Sequence, residues 1–326
     1  MKSTNSVKNI DSIYKEITAR EAYGKKMLEL AQQHENLVVL VPDSMRTNCT
    51  IDFMRQFPER FFNFGIAEQN TMSIAAGMAL EGLIPFVSGF ATFLSMRACE
   101  QVRTDICYGN LPVKIVATHS GTSSGGGTTH CAIEDIAIMR SFPNMTVMAP
   151  SDSRTTGSAV GAALNVPGPV YIRIGRGLEP LVYDDDVDFT IGKAIKVREG
   201  SDISFIACGL CVYHAKKAAD RLSAEGISAS VLDMHTIKPL DVESVIRAAK
   251  QAKGVITVED HNVIGGLGSA VAECLQDHAV AVPFKRLGIP DVFVDNGSAA
   301  VLHKHYGFDE EALYAEAKSM LAASVS

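Results

Sequence analysis

Phe61-Phe62-Asn63-Phe64-Gly65-Ile66-Ala67-Glu68-Gln69-Asn70 holds a change of hydrophobic period, and with it the plan of the fold. Phe61 to Phe64 reads as a short buried strand; beyond Asn70, Ile74 and Met78 lie one helical turn apart until Gly82 stops the run. A strand hands over to a helix, and Glu68 stands at the junction. An acid in a first helical turn ordinarily does no more than complement the helix dipole, for roughly 0.3–1 kcal/mol. Here the helix continues with Ala75, Ala76, Gly77 and Ala79, too small for a surface stripe and suited to close backbone approach by another element. Glu68 is therefore expected at a partly desolvated contact, as a candidate catalytic carboxylate.

Outward from this junction the alternation repeats. Helices are expected over 21–33, 67–80, 92–107, 131–140 and 153–164, and strands over 37–41, 61–64, 84–87, 113–117, 146–148 and 170–173. Continuous apolar strands between helices indicate an α/β fold with a mostly parallel sheet covered on both faces, functional loops gathering at its carboxyl ends. The acidic stretch Leu178 to Asp188 breaks the pattern, and a second α/β unit follows. It has strands at 203–207, 228–233, 254–259 and 284–287 and helices at 214–224, 241–250 and 268–276. The division is an extension 1–16, a first domain 17–180, a linker 181–190 and a second domain 191–326.

A chain of 326 residues with 47% hydrophobic content has ample material for two cores. Its formal charge of −7, with no visible basic patch, speaks against a nucleic-acid or anionic-membrane surface. No apolar run approaches the roughly 20 residues of a membrane span, and residues 1–11 lack a signal-peptide core, so a cytoplasmic protein is expected. Seven cysteines then read as reduced thiols. Cys208-Gly-Leu-Cys211, between a strand and a helix, has the context of a redox pair but no second pair for zinc, and is taken as coincidental. Gly265-Gly266-Leu267-Gly268-Ser269 resembles part of a dinucleotide fingerprint, lacks its last glycine and comes late in its domain.

The richest segment is Thr118-His119-Ser120-Gly121-Thr122-Ser123-Ser124-Gly125-Gly126-Gly127-Thr128-Thr129-His130, between a strand and a helix. Three consecutive glycines and two flanking histidines suit a polyhydroxylated or anionic ligand. Arg20 precedes the first helix, and Arg176, between Gly175 and Gly177, offers a guanidinium fork for phosphate or sulfonate oxygens. Phe90 and Phe93, in Gly89-Phe-Ala-Thr-Phe, would on general grounds be core residues.

Taken together, GIAEQN with its small-residue helix, GFATF, the glycine-rich loop, Ala149-Pro150-Ser151-Asp152, Lys238-Pro239-Leu240-Asp241, Glu259-Asp260-His261 and GGLGSA resemble the carboxyl-terminal half of a transketolase. That half comprises a pyrimidine-binding and a C-terminal domain, and forms the second subunit of bacterial two-subunit transketolases. The resemblance runs from Ile17 to the end. It implies thiamine diphosphate, with Glu68 matching the glutamate that hydrogen-bonds the aminopyrimidine N1′ and promotes proton transfer. Phe93 and Phe90 would stack on that ring, and Asp43 aligns with a cofactor-side acid. His119 matches a histidine at the sugar's anionic end and His130 one at the donor hydroxyls, with His130 also helping in proton transfer. Arg20 and Arg176 match phosphate-contacting arginines, and Thr47 falls near a hydroxyl that joins them.

Related enzymes place an aspartate in the glycine-rich loop, where this chain has Gly125-Gly126-Gly127-Thr128-Thr129-His130, and Met96 replaces an aromatic residue or arginine. These departures leave the ketose open, including whether its anion is phosphate or sulfonate. The family's Gly-Asp-Gly motif with its following asparagine, which holds the diphosphate and Mg²⁺, is absent. An N-terminal, diphosphate-binding partner subunit is thus expected, in an α2β2 heterotetramer, with no metal ligand on this chain. The resemblance also leaves room for a specialised transketolase for a branched or sulfonated sugar, a deoxyxylulose-phosphate-synthase-like or 2-oxo-acid dehydrogenase β subunit, and a regulatory or structural subunit without chemistry.

Overall fold

The computed structural model describes residues 17–323 apart from Leu178. The extension assigned to residues 1–16 lies outside the described residues. Strands β1 (Leu37–Val41), β2 (Phe61–Asn63), β3 (Ile84–Phe90), β4 (Lys114–Thr118), β5 (Thr146–Met148) and β6 (Val170–Arg173) form a parallel sheet in the order β5-β6-β4-β3-β1-β2. Its helices are α1 (Ala19–Gln33), α2 (Ile51–Gln56), α3 (Glu68–Leu80), α4 (Asp135–Ser141) and α5 (Ser153–Leu164).

Alternation of side chains along β1 sets the layers. Leu37, Val39 and Val41 pack in one core with Tyr23, Met27 and Leu30 of α1 and Ala159 and Val160 of α5. Val38 and Leu40 pack in another with Met72, Ala75, Ala76 and Ala79 of α3. The small residues of α3 thus serve the helix–sheet contact. Thr18 begins α1 with a capping box, its hydroxyl accepting from the Glu21 amide while Glu21 accepts from the Thr18 amide at 2.7 Å.

The second unit contains β7 (Ile195–Arg198), β8 (Ile203–Ala207), β9 (Ala229–Asp233), β10 (Thr236–Lys238), β11 (Gly254–Asn262) and β12 (Phe284–Ile289). Helices α6 (Cys211–Ala224), α7 (Val242–Gln251), α8 (Leu267–Asp277), α9 (Ala299–Tyr306) and α10 (Glu310–Ala323) accompany them. Its sheet runs β12-β11-β8-β9-β7, parallel except for β7. Both units therefore have the expected architecture. Strand β10 crosses back and pairs antiparallel with β5, as the seventh strand of the first sheet. One core cluster, running from Val38 to Leu275, spans both units.

Several local expectations are corrected. The strand expected to be buried at 61–64 is the sheet's outer strand, with Phe61 and Phe62 half-buried and Asn63 exposed. The expected helix 92–107 is broken into π-helical stretches, Phe93–Arg97 and Val102–Cys107, around a short α turn. The helix expected from Cys131 starts only at Asp135, because the preceding backbone pairs elsewhere: Ala132 accepts from Gly121 N at 2.9 Å and Ile133 from Asn262 N at 2.8 Å. The glycine-rich start of α8 is no nucleotide cradle. The Glu259 carboxylate already accepts from the amides of Leu267 at 2.7 Å and Gly268 at 2.8 Å.

Candidate active site

Because β1, β2, β3, β4 and β6 are parallel, their carboxyl ends share one edge of the sheet, where ligands of open α/β sheets bind. Asp43 follows β1, Glu68 follows β2, Phe90 ends β3, His119 follows β4 and Arg176 follows β6. Parallel topology alone brings these five distant positions to one side.

Glu68 opens α3 and its side chain is only 4% exposed. Its Oε2 accepts from Arg97 Nη1 at 2.7 Å; among the described residues Oε1 has no hydrogen-bond partner. Arg97 lies over the Phe93 ring, 4.4 Å from its centroid, and so joins the acid to the aromatic face. Phe93 is 5.2 Å from the His130 ring, and Phe90 is 4.3 Å from His119 and 5.9 Å from His130, all edge-on. Carboxylate, guanidinium, two phenyl rings and two imidazoles thus form one continuous wall.

The glycines of the loop make room for side chains more than they display amides. A Cβ on Gly125 would lie 2.2 Å from Arg176 Nη1, one on Gly126 2.8 Å from the His130 ring, and one on Gly127 2.6 Å from Asn296 Oδ1. Gly125 and Gly127 also have φ of +64° and +77°, a region that L side chains rarely adopt. The loop is tied to the second unit. The Asp260 carboxylate accepts from Thr122 N at 3.0 and 3.1 Å, and Thr128 Oγ1 donates to Val294 O at 2.6 Å.

Arg20 donates from Nε and Nη2 to Arg176 O, at 3.0 and 2.6 Å, and from Nη1 to Thr47 O at 2.6 Å. Much of its hydrogen-bonding capacity therefore holds the backbones of the other two anion candidates. The exposed Thr47 hydroxyl donates to Ser44 O at 3.0 Å. Asp43 is exposed, with φ +74°, and its amide donates to Asn63 Oδ1 at 3.2 Å, the oxygen that also accepts from Gly65 N at 3.0 Å. Asn63 so links the Asp43 turn to the turn that delivers Glu68. Arg173, at the end of β6, is buried and committed to Asp135, Ala132 O and Asp260 O.

His119 is 4% exposed. Burial first, then Arg20, Arg176 and His130, push its pKa down to about 3. At neutral pH its imidazole is therefore held uncharged. The buried thiols of Cys208 and Cys211 are pushed well above their ordinary range by burial and then by Glu259 and Asp260 respectively, which removes the thiolate that redox chemistry needs.

Sequence reasoning missed Arg97. Its position four residues after Phe93 hinted at the stacking contact, but the pairing with Glu68 arises only from packing. It also missed Asn296 and Phe293, which the second unit brings to the glycine-rich loop and to the cavity beside Met96. The wall suits an aminopyrimidine: a buried acid keeps one oxygen unpaired, beside half-buried phenyl rings.

Residues 15–180 match the family model of the transketolase pyrimidine binding domain, and residues 192–313 that of the transketolase C-terminal domain. The chain is 40% identical to an apulose-4-phosphate transketolase subunit of Phocaeicola vulgatus, over 91% of this chain and 95% of that protein. It is 41% identical to the 6-deoxy-6-sulfo-D-fructose transketolase subunit SqwH of Clostridium sp. (strain MSTE9), over 88% and 89%. A solved split-gene transketolase, an inactive β4 tetramer, superposes with a TM-score of 0.86 at 44% identity, covering 94% of this chain and 98% of that one.

Proposed function

This chain belongs to the transketolase family, and from that premise we propose that it is the pyrimidine-domain subunit of a split transketolase, moving a two-carbon ketol unit from a ketose to an aldose. The observation that carries the reading is the buried Glu68 carboxylate, half of it unpaired, at the carboxyl edge of a parallel sheet beside Phe93. Thiamine diphosphate, when bound, supplies the nucleophilic carbon that cleaves the bond next to the ketose carbonyl. Glu68 would hold its aminopyrimidine and move a proton at N1′, while Phe93 and Phe90 would flank the ring. Arg97 keeps the carboxylate in place. His130, between the two phenyl rings and the glycine-rich loop, would hold donor hydroxyls and help transfer their protons, and Arg176 the anionic end. Asp43 would stand on the cofactor side. Arg20 holds the Arg176 and Thr47 backbones beside that end.

An N-terminal subunit would bring the diphosphate and Mg²⁺ ligands, in an α2β2 heterotetramer in the cytoplasm. In support, a relative made of four copies of the corresponding subunit is described as inactive. The described residues contain no helix long and apolar enough to cross a membrane. The substrate would be a sugar phosphate or sulfonate, since relatives of near-equal identity are named for one of each. The test is to purify the chain with and without a co-expressed N-terminal subunit. Each preparation is then supplied with thiamine diphosphate, Mg²⁺ and a panel of ketose phosphates and sulfonates, with pyruvate as control donor. Ketol transfer only in the joint preparation is expected. Transfer by the isolated chain, or turnover of pyruvate alone, would overturn the reading.

A further inference from the structure

A line of ionisable side chains runs from the surface of the second unit to the glycine-rich loop. Glu310, the first residue of α10, places Oε2 2.7 Å from His214 Nδ1 on α6. His214 Nε2 lies 3.0 Å from His303 Nδ1 on α9, and His303 Nε2 lies 3.0 Å from Thr122 Oγ1 and 3.5 Å from Asp260 Oδ2 on β11. Side-chain exposure falls along the line, from 39% for Glu310 through 13% for His214 to 1% for His303. Its outer end therefore meets solvent, and its inner end is sealed.

Counting protons shows what the line holds. Burial raises the Asp260 pKa, but the hydrogen bond and charge of His303, then Arg173 and the Thr122 amide, bring it below its ordinary range. Glu310 is likewise lowered against its burial, by its own amide and by His214. A carboxylate only accepts, so His214 Nδ1 carries a proton for Glu310. Burial first, then the charge of His303, lowers His214, with Glu310 and Asp309 opposing. His214 is thus neutral, its Nε2 is a lone pair, and His303 Nδ1 carries the proton between the rings. The Thr122 hydroxyl has one proton and two claimants, Asp260 Oδ2 at 3.2 Å and His303 Nε2. With His303 uncharged, one claimant faces a lone pair. With a second proton on His303, Nε2 donates to Thr122 Oγ1, Thr122 donates to Asp260, and every bond of the line closes.

The charges that face the pair favour that proton. They are Asp260 from β11 and Asp309 and Glu310 from the start of α10, against Arg173 from β6 and Arg221 from α6, which are paired with Asp135 and Glu311. The Cys211 thiol of α6, pushed up by burial and by Asp260, stays uncharged. We propose that His303 and His214 are positioning residues for the cleft: a proton held on this pair locks Thr122 to Asp260, and its loss as pH rises loosens the glycine-rich loop that ends in His130. The path to His130 is short. Gly121, next to Thr122, donates to Ala132 O at 2.9 Å in an antiparallel bridge two residues past that histidine. The effect on turnover rests on the proposed ketose site; the latch itself is a property of the chain.

The first test uses the full chain labelled with ¹⁵N-histidine, the two rings assigned by difference from His303→Gln and His214→Gln. His303 should carry both ring protons at low pH and lose the one on Nε2 in a step between about pH 5 and 8. Protection of the 122–130 amides against hydrogen exchange should fall across the same step. Glu310→Gln keeps the volume and an acceptor but removes a facing charge, and should move the step down by about 0.2–0.7 of a pH unit. A His303 ring that gains no second proton in that range, or protection that ignores the step, would overturn the inference. In the complex with its N-terminal subunit, the ketose KM of His303→Gln divided by that of the wild type should be about 3 to 10 below the step and near 1 above it. A ratio constant with pH would mark a merely structural residue and refute the proposal. If His303→Gln does not fold, His214→Gln supplies the assignment and the protection step of the wild-type chain decides. Spectra and exchange need no turnover, so failure of the ketol reading would leave the latch intact, and failure of the latch would leave the reaction standing.

Discussion

Replacing Glu68 by glutamine separates chemistry from architecture. Glutamine keeps the volume and an oxygen for Arg97, so what is lost is the charge. That charge stands at the N-terminus of α3, where a carboxylate contributes about 0.3–1 kcal/mol. It also pairs with Arg97, whose side chain is 44% exposed; solvent screening brings such a pair down to about 0.2–1 kcal/mol. The sum, about 0.5–2 kcal/mol, is a modest part of the roughly 5–15 kcal/mol of a folded domain, so the variant should fold and assemble. A positioned acid or base contributes about 10²–10⁴-fold to rate, and Glu68→Gln should lower turnover by at least about 100-fold. The assay pairs turnover in the reconstituted complex, at saturating thiamine diphosphate, with a urea midpoint and the mass of the assembly. Near-normal turnover in an assembled variant would refute the catalytic assignment. A collapse of assembly with proportionate loss of activity would show instead that the carboxylate is structural.

Other residues give independent checks. Arg176→Ala should raise KM for anionic sugars by about 10-fold or more with kcat little changed, and leave an anion-free ketose unaffected; equal KM values for both would remove Arg176 from the site. The pair Cys208→Ser and Cys211→Ser should retain turnover, and in the wild-type chain both thiols should resist alkylation until urea unfolds it. Asp233 is fully buried, accepting from Ser151 Oγ at 2.7 Å and Tyr183 OH at 2.8 Å, and burial pushes its pKa up to about 7. A group whose folded pKa is raised contributes stability that is complete below its unfolded value, near 4, and lost as pH climbs through the folded one. Stability should therefore fall between about pH 4 and 7 by up to about 4 kcal/mol, and Asp233→Asn should flatten that slope in urea titrations at stepped pH.

What could be read from the sequence was what is local. Leu37–Val41 is an uninterrupted apolar run, and Val170–Arg173 and Ile203–Ala207 are apolar but for Arg173 and Ser204; all three are central strands, and their limits coincide with the expected ones. Strand β10 was not expected, since three residues, Thr236-Ile237-Lys238, become a strand only by pairing with β5 across the two units. Strand β7 is an antiparallel edge with a half-exposed pattern and no apolar run to announce it. The π-helical register after Phe90 depends on side chains such as Ser95, whose hydroxyl bonds to Ala91 O at 2.7 Å, and has no hydrophobic period of its own. Candidates such as Glu68, His119 and Arg176 were visible because special residues end strands there. Arg97 was not, since 29 positions separate it from its partner.

The second unit matters to the site although every strand end that lines it belongs to the first. A loop carrying three consecutive glycines loses more backbone freedom on ordering than any other composition would, so something outside it must hold one conformation. Asp260 does this twice: its carboxylate takes the Thr122 amide, and its carbonyl takes Arg173 Nη2 at 2.8 Å. Arg173 in turn binds Asp135, the first residue of α4, so the loop is fixed behind its beginning and beyond its end. His303 adds a further tie, its Nε2 lying 3.0 Å from Thr122 Oγ1 and its Nδ1 3.0 Å from His214 Nε2 on α6. A Cβ on Gly121 would lie 2.2 Å from Asp260 Oδ2, so the loop can approach this acid only where it has no side chain. The histidines at either end of the loop thus owe their positions to the second unit, and the core shared between the two units holds that unit against the first.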